Sequence, residues 1–110
     1  MTSEFTKAER KALRELSGLT YEAEAHLMLD ELDAEFQSWR TGEMESSELL
    51  RAIHEFHQEQ SREFWSTYQA LKEHEIVARG IAFGFLKAPV PEELRAKLAP
   101  LIEHFSGSSP

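Results

Sequence analysis

Apolar residues recur every three or four positions along most of this chain, and no stretch keeps the two-residue alternation of a half-buried strand. Helix is therefore the predicted element, with a strand as the lesser alternative only in the apolar segment 74–87. Projected at about 100° per residue, Phe5, Ala8, Ala12, Leu16, Leu19 and Ala23 form one stripe. Tyr21, Ala25, Met28, Leu29, Leu32, Phe36 and Trp39 form a second, roughly opposite it. The stripe changes sides near Gly18. A break or bend is expected there, with Thr2 or Ser3 capping the first segment and Thr20 the next; the other reading is one long helix whose halves face different neighbours.

Arg40, Thr41 and Gly42 supply a basic last turn and a glycine exit, and Ser46 or Ser47 can cap a second long helix whose first turn carries Glu48. Over residues 47–71 this helix places Leu49, Leu50, Ile53, Phe64, Tyr68 and Leu71 on one face, with Glu55, Glu59 and Glu63 opposite. Residues 74–87 are apolar all round a helical projection and so need enclosure, and Gly80 and Gly84 would let another backbone come close on one face. Pro91, Glu92 and Glu93 make a good first turn for a last helix bearing Leu94, Leu98, Leu101, Ile102 and Phe105, which Pro100 should kink or split. The expected fold is all-α: a small four- to five-helix bundle with a central antiparallel helical hairpin of residues 20–40 and 47–71, and 74–87 packed across it. Residues 1–105 would be a single helical domain and 106–110 a flexible C-terminal tail.

Composition narrows the function classes. At 110 residues and 41% hydrophobic, the chain suits one domain burying ~65% of its unfolded surface, enough to fold without staples. It has no cysteine, which removes disulfides, thiolate metal sites and cysteine nucleophiles and fits a reducing compartment. The formal charge is -8. Residues 21–40 carry six acids and one base, and 41–75 eight and three, whereas each end is slightly basic. Nucleic acid is a poor partner for that field. No leader-like opening and no run of ~20 apolar residues occurs, so a cytoplasmic protein without membrane association is expected.

The polar residues that interrupt the second helix's apolar face are the chemical oddity. His57 and Gln60 project near its centre, between Ile53 and Phe64, and His54 lies at its edge beside Trp65. Each buried polar group there would need a partner or cost ~1 to 3 kcal/mol. The favoured explanation is a satisfied polar core reaching Tyr21, Tyr68 or a backbone carbonyl. The sharper one is a divalent metal held by His54 and His57, with Glu22 and His26 completing the shell; no other cofactor is implied. Arg79, inside the apolar segment, needs a carboxylate or carbonyl, with Glu75 or Glu35 as candidates. Glu55, Glu59 and Glu63, with Phe56 beside them, form a candidate partner surface whose like charges a basic protein would relieve.

Gly-rich phosphate loops, nucleophile elbows and zinc-helix motifs are all missing. The leading functional expectation is a protein-protein interaction or adaptor module that engages a basic surface and pairs as a homodimer. The alternative is a metal-binding or acid-base enzyme using the His54/His57 helix site.

Overall fold

The computed structural model describes residues 4–107, which fold into helices and turns with no strand among them. The fold class is all-α. Helix α1 spans Lys7–Arg40; α2 spans residues 46–70; α3 is Glu73–Phe83 and α4 is Glu92–Ser106. Within α2, the α-helical stretches Ser46–Glu55 and Ser61–Ala70 are joined without interruption by a π-helical turn, Phe56–Gln60. Contacts gather the chain into two compact units: Met1–Ala23 with Leu71–Pro110, and Glu24–Ala70.

The expected break at Gly18 is absent, because α1 runs through it as one helix of 34 residues. Leu13, Leu16, Thr20, Glu24, Met28, Leu32 and Phe36 are shielded and follow one another at three- and four-residue spacing, with half-buried neighbours such as Ala12, Ala23 and Glu35 flanking them. The apparent change of sides came from counting Leu19, Tyr21 and Leu29, which are exposed. It also came from passing over Thr20, a fully buried residue that the sequence presented as a cap. Thr20 tolerates burial because its hydroxyl donates to the Leu16 carbonyl at 2.8 Å, so no polar group is left unpaired. The true start of α1 is Thr6. Its Oγ1 accepts the Glu9 N–H at 3.1 Å, while the Glu9 carboxylate accepts the Thr6 N–H at 2.9 Å, a reciprocal cap that satisfies two orphan donors. Thr2 and Ser3 lie outside the described residues.

The first unit holds the main core. Leu13 and Leu16 of α1, Val77 of α3, and Leu94 and Leu98 of α4 form one buried cluster, with Phe5, Ile81, Leu86, Val90 and Ile102 packed around it. Each leucine enclosed in this way contributes roughly 1.5 to 3 kcal/mol relative to exposure. The apolar segment 74–87, expected across the hairpin, finds its cover here: Ile76, Val77, Ala78 and Gly80 are buried within this unit. Its two glycines do different work from the shared face expected of them. A Cβ on Gly80 would lie 2.5 Å from Thr20 Cγ2, so α3 meets α1 there at a distance only glycine permits. Gly84 stops α3, with φ at 81°. Helix α4 continues through Pro100 to Ser106, because Pro100 and Ala96, whose carbonyl loses its amide partner, both face solvent. Ser106, expected to open a flexible tail, instead belongs to α4, and residues 108–110 of that expected tail lie outside the described residues.

The second unit consists of the C-terminal half of α1 and all of α2. Gly42, at φ 86°, ends α1, and the Gly42 and Glu43 amides return to the carbonyls of Trp39 and Ser38 at 3.1 and 2.9 Å, a glycine-terminated Schellman stop. Glu45, not Ser46 or Ser47, caps α2, and Glu48 reaches back to its N–H at 3.0 Å. Trp39 Nε1 donates to Ser46 Oγ at 3.0 Å near the turn, and Tyr68 donates to Glu24 Oε1 at 2.7 Å at the far end. Contacts in that order belong to an antiparallel pair of arms. Two helices cannot enclose one another, and Leu49 is the single buried residue of this unit.

Candidate functional site

The π turn decides where the side chains of α2 point. The sheltered positions along α2 are Leu49, Ala52, Phe56, Ser61, Phe64 and Tyr68, with Thr67 beside Tyr68. Spacings of three and four are interrupted once, by the five from Phe56 to Ser61, where the Ser61 N–H bonds the Phe56 carbonyl. A π turn takes in one more residue than an α turn, which rotates everything downstream by about 100° relative to a regular projection. With that rotation, both halves of α2 present one continuous face.

The same rotation removes the expected polar core. His54, His57 and Gln60 are all exposed, and His57 projects from the middle of the π turn. Regular projection placed His57 and Gln60 at the centre of the apolar face because it averaged two stretches that are out of phase. Tyr68 is half-buried as expected, but its hydroxyl serves Glu24 and its ring lies 4.8 Å from that of Phe64. Glu22 and His26 are exposed. Among the described residues, no three histidine, aspartate or glutamate side chains converge where a metal ion would need them, so His54, His57, Glu22 and His26 are not brought together as a shell.

Arg79 belongs to the first unit and is half-buried. Its guanidinium lies 5.1 Å from the Phe83 ring and 5.6 Å from the Phe85 ring, a cation-π arrangement that lets a charged group sit among aromatic carbons. Glu75, one of the carboxylates expected beside it, instead accepts the Lys72 N–H at 2.8 Å and caps α3. The partner-surface residues Glu55, Glu59 and Glu63 are exposed, while Phe56 turns toward the other arm of the hairpin.

Phe56 marks a concavity of the second unit. Leu32, Ala52 and Phe56 line a groove of about 470 Å³ between the arms, with Glu31 and Glu35 from α1 and Glu55 from α2 around it. No lysine or arginine lines it, and among the described residues none of these three carboxylates has an ion pair or side-chain hydrogen bond. Glu31 escaped the sequence reading because it counted only toward the charge of its segment, and Glu35 entered it only as a candidate partner of Arg79. Their one signal was that they flank Leu32 and Phe36 on a single helix.

Charge follows the structural division closely. Residues 24–70 contain eleven carboxylates and three arginines, a net -8, whereas the rest of the chain has nine acids and nine bases and is neutral. The second unit contains no lysine. It also displays Leu27, Leu29, Trp39, Leu50, Ile53 and Trp65 to solvent, with Leu50 67% and Trp65 61% exposed. Among the described residues no helix is long and apolar enough to cross a membrane. No family model, curated protein or solved structure matches the chain.

Proposed function

We propose that this protein is a helical interaction module of the cytoplasm whose acidic second unit docks onto a basic surface of another protein. One observation carries the reading: the whole net charge resides in the unit with the least core and the most exposed apolar surface, while the well-packed unit is neutral. Exposed large apolar side chains beside uncompensated charge are the ingredients of an interface in which burial supplies affinity and charge supplies rate and selectivity.

A homodimer is the competing occupant of the same surfaces. Pairing two hairpins would set one unit of -8 against another, and like charges across an interface are unfavourable, so a basic partner fits better than a second copy. The reading is tested by retention of protein from extract on the immobilised chain at low ionic strength, followed by salt elution. The control carries Glu31→Gln, Glu35→Gln, Glu55→Gln, Glu59→Gln and Glu63→Gln. Protein retained by the parent, released by salt and lost from the control is the expected result. Equal retention by both would remove charge as the basis, and no retention would remove the reading.

A further inference from the structure

The groove between the hairpin arms is where the charge and the apolar surface of the second unit meet. It is lined by carbon from Leu32, Ala34, Ala52 and Phe56 and by carboxylates from both arms, with Ser38 and Gln60 beside them. Glu31 and Glu35 are one helical turn apart on α1, and Glu55 lines it from α2. From Glu31 to Ser38 the lining covers seven steps of α-helix, about 10 Å, or two turns of a helix laid along it.

The π turn points to the same place. Phe56 and Gln60 are its first and last residues, and both line the groove. π turns are rare, occur mostly as single turns inside α-helices, and are frequent at functional sites. Here the turn points the Phe56 ring between the arms while leaving the following half of α2 in register.

We infer that this groove seats a basic amphipathic helix of another protein. Apolar side chains of that helix enter against Leu32 and Phe56, and lysines or arginines one turn apart on its flank meet Glu31 and Glu35, with Glu55 answering from the opposite side. A third helix in the groove of an antiparallel pair encloses what two helices leave open. Nucleic acid and anionic lipid share the sign of these carboxylates and are repelled. The inference rests on the reading of the second unit as an acidic docking module, and adds the place and the shape of what docks.

The probe is a synthetic helical peptide of about 16 residues, long enough to hold some helix alone, with a leucine stripe flanked by lysines. Its counterpart has glutamate at every lysine position. Both are titrated into the full chain at low salt with amide chemical shifts as the readout, and titrations are repeated with Glu31→Gln/Glu35→Gln/Glu55→Gln and with Asp30→Asn/Glu59→Gln/Glu63→Gln. The two triple variants lose the same charge from the same unit, but only the first touches the groove.

The lysine peptide should bind, shift the amides of Ala34, Ser38, Ala52 and Gln60, and bind the groove variant at least tenfold more weakly; the remote variant should lose less than threefold. Equal losses in both variants, or shifts centred on Leu50 and Trp65, would overturn the groove and leave the acidic module standing. Equal binding of the glutamate peptide would overturn the charge argument. No binding of either peptide would overturn both readings. A dimer in light scattering whose dilution shifts the groove amides would assign the groove to a second copy.

Discussion

Gly80 and Thr20 show how one missing carbon sets the approach of two helices. Thr20 is fully buried and its hydroxyl is committed to Leu16, so it has no room to retreat from a methyl group placed 2.5 Å from its Cγ2. Gly80→Ala should cost roughly 1 to 3 kcal/mol in denaturant unfolding, as overpacking of a filled core does. Thr20→Ser removes the clashing carbon and should relieve part of that loss, seen as a coupling energy in a double-mutant cycle. At the edge of the same unit, Lys97 Nζ donates to Glu9 at 2.7 Å, and that hydrogen bond, with the Thr6 N–H behind it, holds the Glu9 carboxyl below the usual carboxylate range. A carboxyl lowered on folding contributes stability that is complete above its unfolded value and lost as pH falls through the folded one. Lys97→Met should therefore narrow the gap in stability between neutral and acidic pH, measured by urea unfolding at each pH. His57→Leu makes the opposite kind of test. An exposed imidazole has no core role, so the substitution should change stability by no more than about 0.5 kcal/mol.

Among the elements, the stop of α1 and the start and core-facing leucines of α4 were legible in the chain. Leu94 and Leu98 follow from their spacing behind Pro91, and Gly42 from its place after a basic last turn. Three helices begin with a glutamate that returns to the capping residue's amide: Glu9 to Thr6, Glu48 to Glu45, and Glu75 to Lys72. Only the first of the three capping residues has the hydroxyl or short polar side chain that marks an N-cap in sequence, which is why Glu45 was missed in favour of the serines after it. The π turn was illegible for a different reason. A constant angle per residue has no term for one surplus residue, so its presence surfaced as two polar residues on an apolar face. If that account is right, deleting Gln58 converts the π turn to an α turn and preserves the stripe at spacings of three and four, with helix content and cooperative melting kept. Inserting an alanine after Gln58 adds a second surplus residue, turns Phe64 and Tyr68 off the face, and should lower the melting temperature clearly. Circular dichroism on the two variants decides it.

Taken whole, the molecule divides its labour by charge and packing. The neutral unit contains nearly every buried side chain, so Leu98→Ala should cost about 2 to 5 kcal/mol, whereas Leu50→Ala, at an exposed position of the other unit, should stay within about 0.5 kcal/mol. The acidic middle of the chain was plain from residue counts alone, but its coincidence with a structural unit was not, because the boundary near residue 23 falls inside one uninterrupted helix. The groove was hidden for a related reason: its lining comes from two arms and includes both ends of the π turn.

The central claim is that residues 24–70 carry an excess of negative charge, Glu31, Glu35 and Glu55 above all, that their own unit does not balance and that is available to a partner. Site-resolved amide hydrogen exchange in about 20 mM and about 300 mM sodium chloride tests it without any partner, since salt screens repulsion over a Debye length that falls across this range. Exchange in the hairpin should slow at the higher salt while the Val77, Leu94 and Leu98 amides are unaffected. Faster exchange in the hairpin at high salt would show carboxylates already held in attractive pairs, contradicting the account.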